Sequence, residues 1–214
     1  MLRCIIMTVL GFISGSLMFS YFIPRWFLKV DIRKAEGDGN PGSTNAIKAA
    51  GLPVGLLCMA LDLLKGFIPV FVAVFFLDLS GYYLLPVLIA PTVGHAFSPF
   101  LSFNGGKALA VSYGTLLGAV SITWAVFVVA LMMVLFKFII IIKPDSAKVI
   151  TSLVAAYAVI LLFEPLPEIK IAAGGIFFII SLKTFINPDK GIITVSIWHY
   201  ELTIDEFKIR FKRV

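Results

Sequence analysis

The chain alternates long apolar runs with short polar connections. The first run extends from Cys4 to Pro24, and a polar stretch from Arg25 to Gly51 follows it. Apolar residues then dominate Leu52 to Leu77, where Asp62 and Lys65 are the exceptions, and Tyr82 to about Phe97. A spanning helix needs about 20 mainly apolar residues, so these runs predict membrane segments. From Ala108 to Ile142 no charge appears until Lys137. One helix of that length would reach roughly 50 Å against a hydrocarbon core of about 30 Å. A helical hairpin split near Gly118 to Ser121 is expected, the alternative being one long tilted helix. Two further runs, Val149 to Phe163 and Ile169 to Ile186, bring the path to about seven segments. The expected fold is all-α, a polytopic transmembrane bundle.

Composition points the same way, since 60% of the 214 residues are apolar and 14% charged, outside the balance of a soluble domain. The expected organisation is one transmembrane domain over residues 1–190 and a basic cytoplasmic tail over residues 191–214. The first run is longer than a signal-peptide core and no small-x-small cleavage site follows it, so it is expected to be retained as a helix. Cys4 and Cys58 lie in apolar runs without CxxC or His neighbours, which predicts neither a disulfide framework nor a metal site. The end of the tail, Phe207-Lys208-Ile209-Arg210-Phe211-Lys212, alternates apolar and basic residues and predicts a short strand or an interfacial segment.

The net charge of +6 comes from bases that flank apolar helices, where they set topology and meet anionic lipid headgroups; nucleic acid is not an expected partner. With the N-terminus outside, the inside connections collect Arg25, Lys29, Arg33, Lys34 and Lys48, then Lys107, then Lys143 and Lys148, then Lys190 and the Lys208 to Arg213 tail. Between the apolar runs, the outside connections hold Asp78, Glu164 and Glu168 and no base.

Three constellations carry candidate chemistry. The first is the loop Gly37-Asp38-Gly39-Asn40-Pro41-Gly42-Ser43-Thr44-Asn45, whose glycines let backbone N–H groups turn inward around an anion while Thr44 and Asn45 add donors at a helix start. Its plain alternative is an ordinary Gly/Asn/Pro turn, and Asp38 suits an anion site only if Arg33, Lys34 or Lys48 offsets its charge. The second is Gly94-His95-Ala96-Phe97-Ser98-Pro99-Phe100 followed by Phe103-Asn104-Gly105-Gly106-Lys107, where paired glycines, a lysine and the following helix N-terminus favour a phosphate. It lacks the GxxxxGK[ST] spacing of a nucleotide-binding loop, and a lone His95 serves equally as a hydrogen-bonded structural residue. The third is Asp62 with Lys65, an i,i+3 pair within a spanning run, read either as a functional intramembrane couple or as a self-paired structural one.

In series these motifs resemble the bacterial acyl-phosphate-dependent glycerol-3-phosphate acyltransferase (PlsY) family. The family approach Asp-Ile-Arg is matched by Asp31-Ile32-Arg33, and its GSGNxGxTN-type loop by Gly37, Gly39, Asn40, Gly42, Thr44 and Asn45. Its Asp-x-x-Lys-Gly is matched by Asp62, Lys65 and Gly66. Its GHxFPxFLxFxGGKG-type loop is matched by Gly94, His95, Phe97, Phe100, Leu101, Phe103, Gly105, Gly106 and Lys107. The departures are Asp38 for the family serine, Lys48 for an arginine and Ala108 for the last glycine. The third, HRxNIxRLxxGxE-type motif is not recognisable in Lys183 to Asp189, where Lys183 and Asn187 are the only stand-ins.

The resemblance implies a multi-pass protein of the bacterial cell membrane that transfers a fatty acyl group from acyl phosphate to the sn-1 hydroxyl of glycerol 3-phosphate. It implies catalytic roles for His95, Lys107 and Asn45, and substrate or phosphate binding by Gly37, Asp38, Gly39, Asn40, Gly42, Thr44, Lys48, Gly105, Gly106, Asp62 and Lys65. Lys107 with the Gly105 and Gly106 amides is expected to hold one phosphate, and the first loop with Lys48 the other. The implied partners are the two substrates, membrane lipids and the soluble enzyme that makes the acyl phosphate. No motif calls for a cofactor, CoA or a metal. Asp38 and the lost third motif keep open a second reading, a catalytically altered paralogue that binds a phosphorylated lipid or head group. A transporter, the third class, predicts internal repeats that the sequence does not carry.

Overall fold

The computed structural model describes residues 1–35, 38–188, 191–197, 200–205 and 208–213, with residues 35, 200, 201, 204, 205 and 208–213 described by their backbone alone. Gly37, Asp189, Lys190 and Phe207 lie outside the described residues. The apolar runs fold into helices α1 (Leu2–Ser16), α2 (Phe19–Phe27), α5 (Leu52–Phe75), α6 (Leu85–Ala96), α7 (Leu109–Gly118), α8 (Ala125–Val134), α9 (Asp145–Phe163) and α10 (Pro167–Ile186), while the first polar stretch forms α3 (Ile32–Ala35) and α4 (Ser43–Ala50). Short 3₁₀ turns lengthen α6 into an apolar helical stretch from Gly81 to Leu101.

By length and composition, four helical stretches among the described residues are able to cross a membrane: Leu52–Phe75, Gly81–Leu101, Asp145–Phe163 and Pro167–Ile186. A fifth forms if α1 and α2, bent by 41°, make one span. The expected count of about seven membrane segments is therefore not reached by length, since α7 and the Ala125–Ile139 arm are short apolar helices. The hairpin split falls where chain length demands it, with α7 ending at Gly118. Its turn is held from the α9–α10 connection: the Thr123 hydroxyl donates to Oε2 of the buried Glu164 at 2.7 Å and accepts from the Ala125 amide at 3.1 Å. The second arm does not stay α-helical to Ile142. It passes through a π turn at Leu135–Ile139 into strand β1 (Ile140–Lys143).

Glycines let the helices approach closely, as expected where helices pack without a hydrophobic drive between them. A Cβ at Gly66 or Gly114 would collide with the Val111 or Leu63 carbonyl across the α5–α7 contact, and one at Gly15 or Gly94 with the Pro91 or Phe12 carbonyl across α1–α6. Leu84, Val87, Leu88, Leu116, Leu153, Ile160, Ile169 and Ile176 fill the core, while Leu57, Ile68, Phe127, Leu162 and Phe178 stand exposed on the outer faces, as a bilayer solvent permits.

The break between α1 and α2 frees carbonyls that would otherwise lack partners in a membrane. The Ser98 hydroxyl donates to the Ser16 carbonyl at 2.7 Å, and the Lys65 ammonium donates to the Leu17 carbonyl. The tail folds as strands β2 (Ile193–Ile197), β3 (Tyr200–Asp205) and β4 (Lys208–Arg213), which continue β1 as an antiparallel sheet in the order β1-β2-β3-β4. Ile142 pairs with Val195, Val195 with Leu202 and Leu202 with Phe211. The strand expected at the end of the tail is therefore one of four. Among the described residues, the end of the bundle opposite the motif loops carries two bases. Arg3 donates to the Leu77 carbonyl at 3.4 Å, and Lys170 falls near the start of α10 because that helix begins at Pro167, ahead of the apolar run.

Candidate active site

The two motif loops meet directly. Gly39, with φ +61, turns the chain so that the Asp38 side chain faces forward into its own loop. There Oδ1 of Asp38 accepts from the Asn45 amide at 2.6 Å and the Asn40 backbone N–H at 3.2 Å. Its Oδ2 pairs with Nζ of Lys107 at 3.1 Å. Asn40 binds on both sides, its carbonyl accepting from the Asn45 amide at 2.9 Å and its Oδ1 from the Lys107 backbone N–H at 3.2 Å. The base that offsets Asp38 is therefore Lys107 from the second loop rather than Arg33, Lys34 or Lys48. Burial raises the Asp38 carboxyl, but the Asn45 amide, the Asn40 N–H and Lys107 outweigh it and hold the group below its ordinary value.

The second loop folds back under α6. The Gly106 N–H donates to the His95 carbonyl at 3.2 Å, which satisfies the end of that helix. A Cβ at Gly105 would strike that same carbonyl, and one at Gly106 would strike the His95 ring. The expectation that both glycine amides hold a phosphate is corrected for Gly106, whose N–H is already used. Lys107 starts α7 through Ala108, which sits in the left-handed region at φ +65. His95 is buried, and its Nδ1 has no hydrogen-bond partner among the described residues.

Asp38, Asn40, Asn45, His95, Lys107 and Ala108 line one cavity of about 900 Å³. Its polar wall carries Asp38, Asn40, Gly42, Thr44, Asn45, Lys48, Asp62, His95 and Lys107. The apolar wall is made by Leu109 and Tyr113 of α7, Met133 and Val134 of α8, Phe138 and Val149. Tyr113 reaches across to the Val129 carbonyl at 3.4 Å. The first-turn residues of α4, α7 and α9 all open on this space, so three helix N-termini add partial positive charge where an anion would sit. Four lysines, Lys48, Lys107, Lys137 and Lys148, face three aspartates, each of which is ion-paired: Asp38 with Lys107, Asp145 with Lys148, and Asp62 with Lys65 behind the wall.

Asp62 and Lys65 form a buried pair at 2.8 Å, with the Ser20 hydroxyl donating to the other Asp62 oxygen. Asp62 lines the cavity and Lys65 does not, and the couple secures the α1–α2 break through the Ser20 hydroxyl and the Leu17 carbonyl. Gly39 and Gly105 shape the loops without lining the cavity. The sequence reading missed Ser146 and Lys148 at the start of α9 and Thr184 of α10, all on the cavity wall. Thr184 is fully buried and its hydroxyl has no partner among the described residues. Of the two stand-ins for the third motif, neither faces the cavity: Lys183 is buried with its ammonium 5.5 Å from the Phe97 ring centre, and Asn187 caps α10.

The family model described as Glycerol-3-phosphate acyltransferase matches residues 5–202. Glycerol-3-phosphate acyltransferase 2 of Thermotoga maritima is 46% identical over 106 residues, which cover 50% of this chain and 53% of that protein. The chain thus spans about half the length of the first relatives it matches. Glycerol-3-phosphate acyltransferase of Leptospira borgpetersenii serovar Hardjo-bovis is 34% identical over 89% of this chain and 87% of its own. The crystal structure of PlsY (YgiH), an integral membrane glycerol 3-phosphate acyltransferase, in its glycerol 3-phosphate form superposes with a TM-score of 0.74 at 25% identity, over 86% of this chain and 89% of that one. Its lysophosphatidic acid form gives 0.72. With these bacterial relatives, this fold and helices long enough to cross a bilayer, the chain is a multi-pass membrane protein that belongs to the glycerol-3-phosphate acyltransferase family.

Proposed function

We propose that the chain transfers a fatty acyl group from an acyl phosphate to the sn-1 hydroxyl of glycerol 3-phosphate, yielding lysophosphatidic acid and inorganic phosphate. The observation that carries this reading is the shared cavity. A cationic end built from both motif loops and three helix N-termini runs into an apolar wall, which suits a substrate that is ionic at one end and greasy at the other. The relatives' names and the two solved forms support acyl transfer to glycerol 3-phosphate.

The glycerol hydroxyl oxygen attacks the acyl carbonyl carbon, the bond from that carbon to the phosphate oxygen breaks, and the departing phosphate takes the hydroxyl proton. The donor is already activated, so the protein supplies position and charge rather than a nucleophile. Lys107, Lys48 and Lys148 with the three helix N-termini hold the phosphates. Asn45 keeps the Asp38 turn in shape, and the unpaired His95 Nδ1 and Thr184 hydroxyl are left to orient the glycerol hydroxyls. Leu109, Tyr113, Met133 and Val134 carry the acyl chain. Every cavity residue lies between Asp38 and Pro188, so we assign the reaction to residues 1–190, open to the cytoplasmic side, where a soluble enzyme delivers the acyl phosphate.

One observation favours a second reading. The carboxylate of Asp38 occupies Lys107, as in a paralogue that binds a phosphorylated head group without turning it over. Substitution at position 107 tests the assignment. Lys107→Ala is expected to abolish turnover, and Asp38→Ser/Lys107→Ala, which strands no carboxylate, is expected to fold as the parent does and stay inactive. Turnover by the folded double variant would refute the role of Lys107.

A further inference from the structure

Outside the cavity, the end of α2 and the start of α3 gather two permanent positive charges on one neutral oxygen. Nη1 of Arg25 donates to the Tyr21 hydroxyl at 2.8 Å, and Nη2 of Arg33 donates to the same hydroxyl at 2.9 Å. The Arg33 guanidinium also stacks 4.4 Å from the Tyr21 ring centre. Tyr21 is buried and none of the three lines the cavity. The only carboxylate in the cluster among the described residues is Asp31, 2.8 Å from Arg25 and 3.9 Å from Arg33, so one negative charge serves two guanidinium groups. Two like charges held on a shared phenol oxygen repel each other, and their remaining N–H groups point to no other protein acceptor among the described residues. A phosphate offers the geometry and charge that this pair lacks. The neighbouring residues say which phosphate. Trp26, Phe27 and Leu28 are exposed beside the cluster, in the arrangement of aromatic residues at headgroup level, and Lys29 and Lys34 follow at once.

We propose that Tyr21, Arg25 and Arg33 form a binding site for the phosphate of an anionic phospholipid at the membrane surface, separate from the acyl-transfer cavity. Asp31 competes with that phosphate. It also accepts from the Arg33 backbone N–H at 3.2 Å, a turn that asparagine preserves.

Native mass spectrometry of the full chain, released from detergent with phosphatidylglycerol or phosphatidylcholine, tests the site. The parent is expected to retain phosphatidylglycerol preferentially, Arg33→Gln to weaken that binding about tenfold, and Asp31→Asn to tighten it by a similar factor. The opposite sign of the Asp31 variant separates a binding site from a structural cluster. Equal retention by parent and Arg33→Gln, or weaker binding by Asp31→Asn, would overturn the proposal. Displacement of the lipid by equimolar glycerol 3-phosphate would overturn the assignment to a lipid.

Discussion

Asp38 stands between two turns and shares its carboxylate with both, accepting from Asn45 and Asn40 on one oxygen and from Lys107 on the other. Because these partners hold its pKa below the ordinary 3.8, the ionised form is bound more tightly in the folded chain than in the unfolded one. The stabilisation is fully present above that ordinary value and is lost as the pH falls through the folded one. Thermal unfolding in detergent should therefore show Asp38→Asn less stable than the parent at neutral pH, with the gap closing below about pH 4. A gap that persists unchanged in acid would mean that shape, not charge, joins the loops. Ala108 offers a cleaner backbone test. It occupies the left-handed region where the family pattern has glycine, which costs a Cβ-bearing residue about 1 kcal/mol. Ala108→Gly should recover about that much stability in chemical denaturation. That Asn45, His95 and Lys107 line one cavity was legible because they sit in spaced motifs. The pairing of Asp38 with Lys107, and the presence of Ser146, Lys148 and Thr184, were not. A contact across 69 residues and lone polar groups at helix ends leave no local pattern.

At the scale of elements, length favoured dividing the Ala108–Ile142 stretch over one long tilted helix, and α7 does end at Gly118. Ile140, Ile141 and Ile142 were read as helix and form β1 instead. A short apolar run of β-branched residues satisfies either period, and only the arrival of β2 decides it. The α1–α2 break was equally hidden, because its cause lies in α5 and in the second motif loop. Lys65 and Ser98 supply the donors that make open carbonyls at Ser16 and Leu17 tolerable. Lys65→Met should cost about 3 kcal/mol, by stranding Asp62 in the membrane and leaving the Leu17 carbonyl unmet. Asp62→Asn/Lys65→Met should recover much of that loss, since no charge is then left unpaired. Unfolding in detergent that gave purely additive losses would show that the couple is not coupled.

Across the whole molecule, the charges sort by end. The motif loops, the cavity and the sheet built from β1 and the tail share one end of the bundle, while Arg3, Asp78, Glu168 and Lys170 lie towards the other. The positive-inside pattern therefore survives as a bias, with two bases on the opposing side rather than none. For the proposed reaction, that sidedness would bring the cavity to water, the source of glycerol 3-phosphate, and its apolar wall to the bilayer, which would keep the product. Release of inorganic phosphate reads the proposed reaction itself. Purified chain in detergent is given palmitoyl phosphate with and without glycerol 3-phosphate, with palmitoyl-CoA as the control donor. The expected result is release that depends on glycerol 3-phosphate, matched by lysophosphatidic acid, and no product from palmitoyl-CoA. Folded protein that binds glycerol 3-phosphate but releases no phosphate would contradict it and leave the binding paralogue as the reading of this site.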